Sequence, residues 1–202
     1  MGKYITEFIG TFFLVLVVAL TGNAAAIGAT LMVMIFAGGH ISGAHYNPAV
    51  TLAVLIRGKV SSADAIIYII VQIVAAAVAA LIAKWYIGDV NIVPMELSDK
   101  TLKAFIAELV GTFALAYVVL NVATSKGTTG NSFYGLAIGF TVFAMASTFG
   151  SVSGGAFNPA VAIGLCVTKA ICWQNIWIYL VGCLGGGALA AIIFSLNNPD
   201  DK

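Results

Sequence analysis

Charge is what this chain has least of. Of its 202 residues, 8% are Asp, Glu, Lys or Arg and 61% are hydrophobic, whereas a soluble domain carries roughly 25% charged residues. Mean hydropathy is +1.05. These figures exclude a water-soluble body and define a membrane protein. Nine basic and eight acidic residues nearly cancel, at a net +1, so the chain has neither a basic face for nucleic acid nor an acidic tail for a basic partner. Cysteine is also scarce. Cys166, Cys172 and Cys183 are an odd number in or beside apolar runs, so they form no disulfide ladder or metal spacing and are read as packing residues. No nucleophile, acid–base pair or metal-ligand set points to an enzyme or to a cofactor. At the N-terminus, Lys3, the apolar stretch to Leu20 and the small residues Ala24, Ala25 and Ala26 imitate a secretory signal. Glu7 inside that stretch argues against cleavage, and its pattern returns downstream where no signal could be.

What is present is a repeat. Glu7-Phe8-Ile9-Gly10-Thr11-Phe12 returns as Glu108-Leu109-Val110-Gly111-Thr112-Phe113. Ser42-Gly43-Ala44-His45-Tyr46-Asn47-Pro48-Ala49-Val50 returns as Ser153-Gly154-Gly155-Ala156-Phe157-Asn158-Pro159-Ala160-Val161. A weaker third match sets Tyr68-Ile69-Ile70-Val71-Gln72 against Tyr179-Leu180-Val181-Gly182-Cys183. The order is kept, so the chain is a duplicated unit: one membrane domain over 1–202, with a first repeat at 1–90 and a second at 100–202.

Apolar runs predict spanning helices at 4–21, 24–40, 63–86, 101–121, 132–149 and 173–196, each near the ~17 to 25 residues that a bilayer requires. Two further runs, 48–56 and 159–167, would rise roughly 14 Å at 1.5 Å per residue, about half the hydrocarbon thickness. They are expected to be half-helices, each following irregular backbone at 41–46 and 152–157. Such backbone survives at membrane depth only packed in protein or lining a watery cavity, so a cavity is implied. Three spans per unit also invert the second unit relative to the first, so the half-helices enter from opposite faces and aim their N-termini at each other. The fold class is therefore an all-α membrane protein, an inverted repeat of six transmembrane helices and two half-helices.

With the N-terminus inside, Lys3, Arg57, Lys59, Lys126 and Lys202 lie inside against Lys84, Lys100, Lys103 and Lys169 outside. That slight positive-inside bias places both termini in the cytoplasm, in a plasma or inner membrane. Ala76 and Ala80, and Gly182, Gly186 and Ala190, are spaced to let helices approach closely. Gly10 and Gly111 are expected to do the same for the first and fourth spans.

Asn47-Pro48 and Asn158-Pro159 are well-formed helix starts, because asparagine caps and proline fits the first helical position. Facing N-termini place about half a positive elementary charge each at mid-membrane, together with backbone N–H groups and two side-chain amides. Such a site donates hydrogen bonds to a neutral solute and repels cations. Carbonyls of Gly43, Ala44, His45 and Tyr46, and of Gly154, Gly155 and Ala156, supply acceptors along the approaches. The carboxylates Glu7 and Glu108 are functional candidates by their position in the membrane. A proton-coupled transporter of small solutes using either is the alternative function, although no acid, histidine or lysine elsewhere in the spans continues a proton wire. His40 and His45 are read as packed, hydrogen-bonded residues rather than as pH sensors.

The repeated Asn-Pro-Ala boxes (Asn47, Pro48, Ala49 and Asn158, Pro159, Ala160), the Glu-x-x-Gly-Thr-Phe openings and the run Gly39-His40-Ile41-Ser42-Gly43-Ala44-His45-Tyr46-Asn47-Pro48-Ala49-Val50 resemble the aquaporin or major intrinsic protein family over essentially the whole chain. The resemblance implies a passive channel for water and small uncharged solutes, a homotetramer with four separate pores, and Glu7 and Glu108 as acceptors that hold the loop backbone in place. It also implies an outer filter of four side chains, which fall here on Ile27, Ala146, Gly155 and Val161. Members usually carry arginine at the last of these. The valine here, with Ala146 and Gly155, implies a wider, apolar filter that admits ammonia, urea or peroxide. Plant tonoplast members resemble this set, whereas aquaglyceroporins keep the arginine, so glycerol would pass by size without its usual clamp. Glu7 and Glu108 are 101 apart but the boxes are 111 apart, so the first repeat is shortened. Its turn at Thr21-Gly22-Asn23 must be tight, with Ile27 within about a turn of the outer end of the second span.

Overall fold

A computed structural model of the chain describes residues 1–88 and 92–201. Lys202 and the repeat boundary at residue 90 lie outside the described residues. Eight α-helices follow in order: α1 Gly2–Thr21, α2 Ala24–Ser42, α3 Pro48–Ile56, α4 Ser62–Ile87, α5 Thr101–Val119, α6 Tyr134–Ser153, α7 Pro159–Val167 and α8 Ile176–Asn197. The six long ones, with short extensions at α5 and α8, are apolar and long enough to cross a membrane. The half-helices α3 and α7 keep the boundaries expected of them, each opened by Pro after an Asn cap.

Several boundaries shift by one to four residues, and two of them bear on the site. α2 and α6 run on to Ser42 and Ser153, so 41–42 and 152–153 are helical rather than irregular. The stop comes one residue later, where Gly43 and Gly154 take left-handed φ of 85° and 88°, a conformation that favours glycine. The turn after α1 is as tight as its length demands: Gly22 is left-handed at φ 55°, and the Asn23 side chain accepts from the Ala26 N–H at 3.0 Å. α5 ends in a π turn over Leu120–Thr124, where the Thr124 hydroxyl donates to the Leu120 carbonyl.

α1 packs on α4 as α5 packs on α8, α2 crosses α6, and each half-helix lies against the other repeat, α3 on α8 and α7 on α4. Absent side chains make these approaches possible. A Cβ on Gly28 would stand 2.6 Å from the Gly139 carbonyl, and one on Gly139 would stand 2.6 Å from the Gly28 carbonyl. A Cβ on Gly187 would reach 2.5 Å from the Ala49 carbonyl of α3. Gly10 and Gly111 correct their expected role. A Cβ at Gly10 would overlap the Tyr46 ring, and one at Gly111 the Phe157 ring. These glycines seat an aromatic ring of the loop before each half-helix, not a neighbouring helix.

Both described ends lie on one side, with the segments after α3 and α5. Lys3 Nζ and the Tyr4 hydroxyl both reach Asp64 Oδ1 at 2.8 Å, at the start of α4. Asp201 gathers three partners there: Arg57 Nη2 at 2.6 Å, the Ser125 hydroxyl at 2.7 Å and the Lys126 N–H at 2.9 Å. Arg57, which caps α3, is the sole arginine of the chain. On the opposite side the Met95 N–H donates to the Ala170 carbonyl at 2.9 Å.

The Ser125 hydroxyl, the Lys126 amide and the Arg57 guanidinium hold the Asp201 carboxyl below the usual aspartate range. A depressed carboxyl stabilises the folded state above its unfolded pKa of about 4 and loses that contribution as pH falls through its lower folded value. Amide exchange at 125–129, corrected for intrinsic rates, should therefore be unchanged from about pH 8 to 5. Asp201→Asn should accelerate exchange there several-fold at neutral pH.

Candidate functional site

The site is built on two carboxylates that have no contact with solvent. Glu7 and Glu108 are each 0% exposed, and an acceptor in such a place must be fully supplied with donors. Glu7 Oε1 accepts from the Ser42 hydroxyl at 2.7 Å and the His45 N–H at 2.9 Å; Oε2 accepts from the Tyr46 N–H at 2.7 Å and Gln72 Nε2 at 2.9 Å. Glu108 repeats the pattern. Its Oε1 accepts from the Ser153 hydroxyl at 2.6 Å and the Ala156 N–H at 3.0 Å, and its Oε2 from the Phe157 N–H at 2.7 Å and Cys183 Sγ at 3.4 Å. Every contact is a donor to a carboxylate, so each acid holds two consecutive amides of the loop that leads into its half-helix.

Several partners in this arrangement are not singled out by sequence reasoning: Ser42, Ser153, Tyr68, Tyr179, Gln72, Cys183 and Thr51. The third repeat match carries the signal for four of them. Tyr68 and Tyr179 donate to the carbonyls of Ser42 and Ser153, and Gln72 and Cys183 occupy equivalent places on α4 and α8. Cys183 is therefore a hydrogen-bond donor as well as a packing residue. Thr51 links the first loop further. Its hydroxyl donates to the Asn47 carbonyl at 3.0 Å, accepts from Gln72 Nε2 at 3.1 Å and lies 3.1 Å from His45 Nδ1. With the threonine proton used on Asn47, the pattern assigns the His45 hydrogen to Nδ1. His45 is packed and bonded as expected. His40 is not, because it stands exposed on α2.

The held loops are bent identically. Gly43, Ala44 and Tyr46 have φ of 85°, 51° and 51°; Gly154, Gly155 and Phe157 have 88°, 62° and 46°. Left-handed backbone at non-glycine residues costs of order 1–3 kcal/mol each and persists only where surroundings fix it. Here the fixing groups are the carboxylates and the rings seated on Gly10 and Gly111.

The two loops then brace one another. Asn47 Nδ2 donates to the Phe157 carbonyl and Asn158 Nδ2 to the Tyr46 carbonyl, both at 2.9 Å. Asn47 Oδ1 caps Ala49 N–H at 2.8 Å, and Asn158 Oδ1 caps Ala160 N–H at 2.9 Å. Each amide group thus keeps one N–H uncommitted, and both asparagines line a narrow cavity of about 20 Å³. Since a water needs some 10–15 Å³ by this measure, the space has room for about one water.

Ile27, Gly155 and Val161 line that narrow cavity, with Val142. Ala146 does not; it lines, with Ile27 and Gly155, a mouth of about 340 Å³ on the side away from the termini. Val142, one turn before Ala146 on α6, is a wall residue that sequence reasoning missed, as are Leu14, Val18, Leu31 and Leu115. Ile27, although only in the first turn of α2, faces both spaces. Tyr46 and Ala156 line the narrow part, and Gly154 the mouth. Toward the termini, spaces of about 350 and 390 Å³ share Gly43, with His45 and Ala44 on their respective walls. Among the described residues no group of three or more His, Cys, Asp or Glu could hold a metal ion.

Six apolar helices long enough to span, around two half-helices that meet end to end at a cavity with room for about one water, define a multi-pass membrane protein of the inverted-repeat kind. Residues 1–194 match the family model described as Major intrinsic protein, and the chain belongs to that family, whose members are channels and not enzymes. It is 35% identical to Glycerol uptake facilitator protein-like 6 of Lactiplantibacillus plantarum, over 100% of both chains. It is 37% identical to Aquaporin TIP1-1 of Arabidopsis thaliana, over 88% of this chain and 71% of that one. The aquaglyceroporin from Plasmodium falciparum shares the fold, with a TM-score of 0.76 at 21% identity over 95% of each chain.

Glu7→Gln and Glu108→Gln each present an NH₂ group to donors that need an acceptor. Breaking a buried charged contact from one side costs about 3–5 kcal/mol, so both variants should lose most of their thermal stability in detergent. Gln72→Asn, which keeps the amide but shortens its reach, should cost about 1 kcal/mol and lower the melting temperature by only a few degrees.

Proposed function

We propose that the protein is a passive channel for water and small uncharged solutes, with ammonia, urea, peroxide and glycerol as candidates. The observation that supports this reading is the set of spaces on either side of the asparagine pair: a mouth of about 340 Å³ that shares Ile27 and Gly155 with the small central space, that central space walled by Ile27, Val142, Gly155, Val161 and both asparagines, and a space of about 390 Å³ toward the termini. At the pair, the half-helix ends present partial positive charge and the remaining amide N–H groups present donors. A neutral solute gains hydrogen bonds there; a cation meets repulsion. Loop carbonyls of Gly43, Ala44, His45, Gly154 and Ala156 serve as acceptors on either side.

The narrowing decides which solutes pass. Its aliphatic walls return none of the hydrogen bonds that a solute surrenders, each worth about 1 kcal/mol net. Ammonia and peroxide surrender few, urea more, and glycerol has three hydroxyls to strip. Glycerol is retained as a candidate because a relative matched over its full length bears the name of a glycerol uptake facilitator. With valine at the family's arginine position, cation exclusion rests on the half-helix ends alone. The proton-coupled alternative finds no support in the carboxylates, since the donors around Glu7 and Glu108 are committed to the loops. The apolar side chains on the outer surface, such as Phe13, Ile70, Phe140 and Trp177, suit lipid and the neighbouring copies of a homotetramer. The termini are assigned to the cytoplasm of a plasma or inner membrane.

Proteoliposomes test the function. Water and urea should each equilibrate faster than in empty vesicles, at rates set by the solute gradient and indifferent to an imposed pH gradient, and ammonia should do so at equal pH on both sides. Accumulation of urea against its gradient would contradict a channel. Val161→Arg should depress urea and glycerol flux about tenfold while reducing water flux by less than about threefold. Equal losses for all solutes would contradict a filter at this position.

A further inference from the structure

We propose that the space on the terminus side holds a binding site for a small neutral polyol, centred on Tyr134 and His40, from which solute feeds the central cavity. The feeding role rests on the channel reading above; the binding does not. The two mouths differ in kind. The outer mouth has no polar side chain in its lining, whereas the space of about 390 Å³ toward the termini is walled by His40, Thr124, Thr128, Asn131 and Tyr134. Among the described residues its lining includes no carboxylate, ammonium or guanidinium, so it suits a guest that is polar and uncharged. It also has the volume for a molecule of several carbons, where the central cavity has room for about one water.

One wall is built by the π turn that ends α5 and the loop after it. Side chains supply the carbonyls there: the Thr124 hydroxyl donates to Leu120 at 2.6 Å, the Thr128 hydroxyl to Asn121 at 2.6 Å and Asn131 Nδ2 to Val122 at 2.7 Å. With their protons used in this way, the two threonine oxygens remain as acceptors only. Tyr134 and His40 line the same space, and among the described residues no hydrogen bond engages either side chain. The Tyr134 ring meets Phe36 edge to face at 5.3 Å and lies over Gly39, where a Cβ would stand 3.3 Å from its Cε2. It is thus seated on α2 beside His40. A phenol donates and accepts, and a neutral imidazole does one of each. A polyol has the matching make-up, hydroxyls that donate and accept on a chain of C–H groups that packs against a ring. Urea, with a single acceptor oxygen, matches fewer of these groups. Because flow through a channel is passive, a site at one mouth leaves permeability at low concentration equal in both directions. It shows instead as saturation, since solute arriving from the terminus side fills the site at lower concentration than solute arriving through the narrowing.

Saturation-transfer NMR on the purified protein, with xylitol as the probe, tests the site, and melting temperatures confirm that each variant is folded. The wild type should give a saturable signal that glycerol competes away. Tyr134→Phe keeps the ring and removes only the hydroxyl, and His40→Ala removes the imidazole; each should weaken xylitol binding about fivefold, and the double variant should lose the saturable signal. In vesicles sorted by orientation, glycerol moving from the terminus side should reach half-saturation at a lower concentration than glycerol moving the other way. A wild type without saturable binding, or variants that bind xylitol as it does, would overturn the proposal. Equal half-saturation in both directions would overturn the feeding role. A wild type that binds xylitol yet passes no solute above empty vesicles would overturn the channel reading and the feeding role with it, leaving the site.

Discussion

The structure depends on the need to keep non-helical backbone at membrane depth. Two loops descend to a depth where lipid supplies no water, and each peptide group they carry has to find a partner in the protein or in a cavity it lines. Glu7 and Glu108 meet that need with a carboxylate per loop, taking two consecutive N–H groups and a serine hydroxyl. Burying a carboxylate is costly by itself, and the cost is offset only by a full complement of donors. Acid and loop thus stabilise one another, and neither would persist in this position alone.

From that constraint the rest follows in sequence. Held amides leave the loop in left-handed turns, and the turns bring Asn47 and Asn158 to the point where each donates to the other loop. The reciprocal bonds join the repeats at the centre of the fold, while α3 on α8 and α7 on α4 join them along its length. The rings of Tyr46 and Phe157 fill the space left by Gly10 and Gly111, so the same loops are locked sterically as well as by hydrogen bonds. The proposed channel is what remains between these fixed parts.

Much of this is legible in the sequence because duplication doubles each signal. One Asn-Pro is an ordinary helix start; two in matched positions, each before an apolar run too short to span, define α3 and α7 to the residue. Other features are hidden because they arise from contacts across the chain. The length of α2 and α6 depends on where Gly43 and Gly154 can turn left-handed, which a hydropathy pattern does not register. Gly10 and Gly111 lie in helices and so suggest helix contacts, whereas their neighbours are rings 36 and 46 residues away in sequence. Gln72 and Cys183 look unrelated chemically; the third repeat match aligns them, and their bonds to a carboxylate, at 2.9 and 3.4 Å, show what they share. Val142 is missed by a position-by-position transfer, which lands one helical turn away on Ala146, in the wall of the outer mouth.

The central claim is that the facing half-helix ends form a donor-only passage that neutral molecules cross and cations do not. Its most direct test measures water permeability and sodium current in the same vesicles, with a membrane potential imposed across them. The account predicts water permeability well above that of protein-free vesicles and no sodium current above their leak. Sodium current rising in proportion to water permeability would contradict it.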